Sequence, residues 1–389
     1  MQKSWGISVQ KSKRRQGITI IVLVAVILVV GLLFFVDFQT TNGSTISADS
    51  GSTSSTKNSL DKALSRSSNL GINNLSENKT KSLHDQNAKL LKNHYIGAYI
   101  GVSNSQIKFS GQIGYSNVAS KNRFALNSSF LVGDNYQMIV NNAVLLKLAS
   151  SKKIELDKSL ASYLGTKSSL LGKTTIKDLM LNENNFVIQK SELKRLSISV
   201  KDLKRLKKSS RSKSNEISAN EILKCILISH VEKTTYNKAI ENLIVTPMGL
   251  ANSSVVVNRI TNLNDVRSYK YILNDGIPVQ SKELNIKNLY KQKYLLRMSI
   301  SDIALFTNNT FNGKYFSKKY LNLFKKTVSN IDVSDHTDNE FVIQSKGNGQ
   351  YLTIDTNRNG TKFFIVLTNF KNKKLSDRKV AADFYSLLS

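Results

Sequence analysis

The chain has 389 residues, enough for one large domain with appended segments, and its single cysteine, Cys225, excludes an intramolecular disulfide. Lys and Arg number 56 against 27 Asp and Glu, a formal net charge of +29; a surplus of that size speaks of polyanionic partners rather than of fold. The four histidines, His84, His94, His230 and His336, lie too far apart for a zinc set, and no metal or other cofactor is expected.

Residues 1–17 form a basic tail with Lys3, Lys11, Lys13, Arg14 and Arg15 and no acid. Residues 18–36, ITIIVLVAVILVVGLLFFV, carry no charge. As a helix they span about 28 Å, close to the hydrocarbon thickness of a bilayer. The basic flank predicts a cytoplasmic N-terminus and places everything after Asp37 outside. A cleaved signal peptide is the alternative, but its apolar core is normally shorter, about 7–15 residues. With the domain outside the cell membrane, nucleic acid falls away as a partner. The membrane itself, peptidoglycan and teichoic-acid-type polyanions remain.

From Gln39 to His94 there is no Phe, Tyr, Trp or Pro, and Ser, Thr, Asn and Lys dominate. Such a stretch buries too little apolar surface to offset its ordering entropy, so residues 37–80 read as a flexible linker. A first helix is expected over 82–93 with Ser82 as its N-cap. Residues 95–117 alternate apolar and polar around Asn-Ser, a strand, a turn and a second strand. Residues 135–150 place Met138, Ile139, Val144, Leu145 and Leu148 at helical spacing. Shorter helices are expected at 174–182, 218–233, 236–246 (ending before Pro247) and 299–309, the last capped by Ser299. Strands return at 350–356 and 361–369 around a turn at 357–360, and a helix over 374–388 closes the chain. Cys225, inside ILKCILI, reads as a small buried hydrophobe.

Several segments share their order with one known family. GAYIGVSNSQIKFSGQIGYSNVASKNRF followed by Phe130-Leu131-Val132-Gly133, KLASSKKIELDKSLASYLG, TTIKDLMLNENN, YNKAIENLIVTPMGLANSSV and SISDIALFTNNTFNGKYFS resemble, in that order, the serine β-lactamase and penicillin-binding-protein-like family, nearest its class C or esterase-like branch. The resemblance covers roughly residues 85–389. It implies an α+β fold of the β-lactamase/transpeptidase type, an antiparallel sheet flanked by helices with an all-helical insertion. The expected division is a β-lactamase-like domain over 81–389, with sheet parts 81–133 and 286–389 and a helical part 134–285.

The family's chemistry needs a Ser-x-x-Lys at the start of the central helix, one helical turn apart, so that hydroxyl and amine share a face. Aligned on Phe130 and Gly133, those positions hold Asp134 and Gln137. An ionised carboxylate is a poor acyl acceptor, and a primary amide is no base near neutral pH. Other Ser-x-x-Lys pairs, such as Ser59–Lys62, Ser76–Lys79, Ser150–Lys153 and Ser210–Lys213, are what a Ser- and Lys-rich chain produces by chance. The resemblance places a second motif, Tyr/Ser-x-Asn, at Ser218-Ala219-Asn220; an ungapped count from Tyr236 puts it at Glu216 and Ser218 instead. The third, Lys/His-Thr-Gly, corresponds to Lys346-Gly347, with no hydroxyl between cation and glycine. Residues 190–214 are densely basic and include Lys201, Lys204, Arg205, Lys207, Lys208, Arg211 and Lys213. One reading is a solvated insertion loop; the other is a contact surface for a phosphate-rich polymer or anionic lipid. The expectation is a membrane-anchored extracytoplasmic protein of a Gram-positive cell wall, a pseudoenzyme binding a wall component. Its rivals are an active serine hydrolase of the same fold, using Ser128, Ser129 or Ser218, and an electrostatic wall- or membrane-binding module.

Overall fold

Asn104 and Ser105 close the first hairpin. Both hold positive φ, 51° and 59°, in a two-residue turn whose twist suits the strands it joins. The strands are β1 (Gly97–Ser103) and β2 (Gln106–Ile113). The computed structural model describes residue 60 and residues 70–389 except 210–213, 257–264, 275–276, 284–293 and 334–338. The tail and apolar segment at 1–36 lie outside the described residues, as do Arg211, Lys213 and His336. Among the described residues no helix is long and apolar enough to cross a membrane.

The domain begins earlier than its composition suggests. Residues 70–76, expected as linker, run along β2, with Asn74 N–H donating to Lys108 O at 2.6 Å and Ser110 N–H to Ile72 O at 2.8 Å. An edge strand offers unpaired backbone groups whatever the side chains are. Helix α1 (Glu77–Lys92) likewise starts before Ser82, with Ser76 at its N-cap. Leu83 and Leu90, both buried, hold it to the sheet.

After β3 (Ser129–Leu131) comes α2 (Gly133–Ser150), of whose 18 residues 14 are buried. A helix buried on nearly every side belongs at the centre. Short helices follow: α3 (Leu160–Leu164), α4 (Ser169–Gly172) and α5 (Ile176–Met180). Thr175 and Asp178 cap α5 reciprocally.

The insertion is not all helical. It holds β4 (Phe186–Gln189), β5 (Lys207–Lys208) and β6 (Glu216–Ser218) in one small antiparallel sheet, ordered β5-β4-β6. A hairpin over Tyr269–Asn274 and Ile277–Glu283 follows later. The all-helical insertion is what the resemblance implies; β4, β5 and β6, of two to four residues, are too short for alternation to register in the sequence. Helices α6 (Asn220–Val231) and α7 (Tyr236–Ile240) stand where expected. Helical backbone then runs past Pro247 as far as Met248, through a wide π turn at Glu241–Val245.

The chain returns through β7 (Ser254–Val255), β8 (Leu296–Ser299), α8 (Ile300–Phe311) and α9 (Leu321–Ser329). It ends with β9 (Glu340–Gly347), β10 (Gln350–Asn357), β11 (Lys362–Thr368) and α10 (Asp377–Tyr385). The main sheet is antiparallel throughout, ordered β9-β10-β11-β1-β2. Alternation divides its two faces. Ile343, Ile354, Ile365 and Ile100 join the larger core with α2 and α8, whereas Tyr99, Phe109, Phe364 and Val366 pack with α1 and α10.

Candidate functional site

The end of β9 crosses the start of α2 at backbone contact. Gly133 has φ +74°, and a side chain there would meet the Lys346 backbone at 2.5 Å. A Cβ on Gly347 would lie 2.9 Å from both Gly133 N and Leu131 O. Only glycines allow this approach, and it brings the strand to the helix N-terminus. Ser345 Oγ accepts from Tyr136 N–H at 3.1 Å, and Asn135 Nδ2 donates to Gln344 O at 2.8 Å. Alternation along β9 turns Ser345 and Gly347 towards α2 and Lys346 to the opposite face. There Lys346 is exposed, its ammonium 5.7 Å from the centroid of the Tyr351 ring. The expected third-motif cation therefore presents its backbone, not its charge, to α2.

Asp134 lies in the first turn of α2 and is exposed. Loss of hydration, and then the nearby charge of Glu221, raise its pKa above the usual carboxylate range. One turn on, Gln137 is buried and fully used. Its Nε2 donates to Tyr294 O at 2.5 Å and its Oε1 accepts from Leu296 N–H at 3.3 Å. Only a side chain with both a donor and an acceptor can bridge the carbonyl and the amide of a passing segment; a lysine has no acceptor.

A further turn along the same face, Asn141 Nδ2 donates to Glu221 Oε2 at 2.8 Å and Asn141 Oδ1 accepts from Tyr236 O–H at 2.7 Å. Glu221 Oε1 accepts from Lys224 at 2.7 Å, and the Lys224 side chain has no exposed surface. Cys225 packs among Gln137, Asn141 and Tyr236, and burial raises its thiol pKa strongly, leaving an unreactive thiol. Sequence reasoning passed over Asn141, Glu221, Lys224, Tyr236 and Tyr294. The available signal was polar residues set inside apolar helical runs, Asn141 in MIVNNAVLL and Lys224 in ILKCILI.

Asn220, of the expected second motif, is buried at the start of α6 and faces a loop. It accepts from Phe186 N–H at 2.9 Å and donates to Asn182 Oδ1 at 2.9 Å and Asn184 O at 3.0 Å. Ser218 is exposed on β6. Ser128 and Ser129 are buried, and their hydroxyls are engaged by Ala125 N–H at 2.8 Å and Asn252 O at 3.3 Å. At Ser150–Lys153, the hydroxyl is held by Leu146 O and the ammonium by Glu232, both at 2.7 Å.

The basic segment is built rather than loose. It forms 3₁₀ helices at Lys190–Arg195 and Val200–Arg205, then β5. Arg205 pairs with Glu192 and with Asp202, so its charge is spent internally. Lys208 bonds Asn184. Lys201, Lys204 and Lys207 are exposed.

No family model and no curated protein matches the chain. Solved structures do match. FmtA from Staphylococcus aureus superposes with a TM-score of 0.62 at 17% identity, over 85% of this chain and 96% of that one. A penicillin-binding protein from Bacillus halodurans gives 0.57 at 13% identity, over 78% and 99%. This chain has the serine β-lactamase/penicillin-binding-protein fold. A class C β-lactamase from Rhodobacter sphaeroides, with the same fold, gives 0.56 at 15% identity, over 79% and 98%. At these identities the likeness carries the fold alone. The chemistry open to this chain lies in its own side chains at and behind the start of α2. Those offer a carboxyl with a raised pKa, a committed amide and a buried ion pair.

Proposed function

We propose that this protein is a membrane-anchored, extracytoplasmic, non-acylating member of the penicillin-recognising fold that binds a cell-wall component, a peptidoglycan fragment or an anionic wall polymer. The observation that carries the reading is Gln137. The position that the resemblance assigns to the general base is held by an amide bonded at both ends to Tyr294 and Leu296, one turn from an aspartate where the attacking hydroxyl would stand. A cleft can outlast its nucleophile, and binding needs only shape and polar groups. The anchor rests on the uncharged 18–36 segment and its basic flank; the wall ligand rests on the extracytoplasmic placement and the net charge.

The test is covalent labelling of the full chain in detergent with a fluorescent fluorophosphonate and a fluorescent β-lactam, read by intact mass. The expected outcome is no adduct from either probe, with retained affinity for muropeptides or teichoic acid in a pull-down. An adduct that maps to Ser218 or any other serine would replace this reading by the active hydrolase. Binding that survives a blocked cleft and vanishes with salt would replace it by the electrostatic module.

A further inference from the structure

The second 3₁₀ helix sorts its sequence by threes. At three residues per turn, side chains at i and i+3 eclipse, so VKDLKRL over 200–206 divides into three stripes. Val200, Leu203 and Leu206 form an apolar stripe. Lys201 and Lys204 form a cationic one, continued by Lys207. Asp202 and Arg205 form the third and neutralise each other at 3.5 Å, with Asp202 buried against Ser197 and Ser199. The apolar and cationic stripes line one groove, of ≈ 440 Å³, whose other bank is Leu170 and its neighbours on α4. Lys167, exposed, stands on that bank between two lining residues, Thr166 and Ser168. Among the described residues, no ion pair engages Lys167, Lys201 or Lys204.

An apolar floor under a cationic rim does not suit a uniformly polar polymer, which would leave the leucines unused. It suits an amphiphile with one hydrocarbon chain and an anionic head. We propose that this groove binds an anionic phospholipid of the adjacent membrane, one acyl chain lying along Leu170, Leu203 and Leu206 and the phosphate held between Lys201 and Lys204. The inference rests on the membrane-anchored, outward-facing reading and narrows its polyanion contact to lipid at a site separate from the Asp134 cleft. The domain docks on the bilayer through this groove, and that fixes its orientation.

The experiment places the full chain in phosphatidylcholine nanodiscs containing a trace of phosphatidylglycerol with a photoactivatable diazirine on its acyl chain. Adducts are mapped by peptide mass spectrometry, so contacts of the 18–36 segment are read separately. The expected result is adducts within residues 165–206, about tenfold fewer with the matching phosphatidylcholine probe, as the charge of two lysines near a lipid surface implies. Adducts should also fall about tenfold or more in K201E/K204E, whose exposed sites leave folding intact. Leu203→Gln should lower them with the rim charge unchanged, and K201R/K204R should retain them. Equal labelling by the two headgroups, adducts confined to 18–36, or full displacement by soluble poly(glycerol phosphate) would overturn the proposal. The last result would return the segment to the polymer-binding reading. Fluorophosphonate labelling at the cleft bears only on the non-acylating reading.

Discussion

Asp355 is the group whose titration should be most visible in the stability of this domain. It lies on β10, on the α10 side of the main sheet and opposite Val342, and is 4% exposed. Among the described residues its Oδ1 has no hydrogen-bond partner. Burial, then the charges of Glu340 and Asp332, push its pKa up to about 7 against the partial relief of Lys362. An acid whose folded pKa is raised binds more protons folded than unfolded between the two values. Its stabilisation is therefore complete at low pH and is lost as pH rises through the folded pKa. With a shift of about 3 units, the loss between pH 5 and pH 8 is about 2.5 kcal/mol. For a domain of this size that is about 4 °C in Tm. Asp355→Asn removes the titration, so the variant should lose about 4 °C less than wild type on going from pH 5 to pH 8. Comparing each protein with itself cancels any pH-independent cost of the amide. Thermal melts of the full chain in one detergent at the two pH values provide the assay. If the pH 5 to pH 8 difference is the same in both proteins, the burial argument for Asp355 is wrong.

Two further substitutions probe the site itself. Gln137→Met keeps the volume but removes both polar groups, leaving the Tyr294 carbonyl and the Leu296 amide without their partner in the interior; about 2–4 kcal/mol should be lost in urea denaturation, and a loss under about 1 kcal/mol would show that Gln137 is not holding β8. Gly347→Ala drives a Cβ to 2.9 Å from two backbone atoms that have nowhere to move; about 2–3 kcal/mol of destabilisation is expected, whereas an unchanged Tm would mean that the strand and the helix do not approach so closely.

What was legible in the sequence was local. The Asn-Ser turn of the first hairpin, the helical spacing of Met138, Ile139, Val144, Leu145 and Leu148 in α2, the short helix within 174–182 and the Ser299 cap each depend on residues a few positions apart. What was not legible depends on distance along the chain. Gln137 meets Tyr294 across 157 positions and Asn141 meets Tyr236 across 95, and no pattern within either run announces the other. The start of the domain at residue 70 was hidden for a different reason, because its pairing with β2 is made by backbone, which composition does not record. The orientation of Lys346 was within reach: with Ile343 in the core, strand alternation turns Ser345 and Gly347 the same way and Lys346 the other.

An isolated loss of a serine and a lysine would leave holes and unpaired groups, reversible by restoring two residues. Here Gln137 closes a carbonyl and an amide of the segment leading into β8, Asn141 spans Glu221 and Tyr236, and Glu221 neutralises the wholly buried Lys224. A lysine placed at 137 would surrender the acceptor that Leu296 uses and would add a second cation to an interior whose carboxylate is already paired, a costly burial. Gln137, Asn141, Glu221 and Lys224 thus find their partners behind Asp134, whose own carboxyl stays exposed at the start of α2. On the non-acylating reading proposed above, such an arrangement selects ligands by shape and hydrogen bonding at a fixed surface rather than by covalent capture.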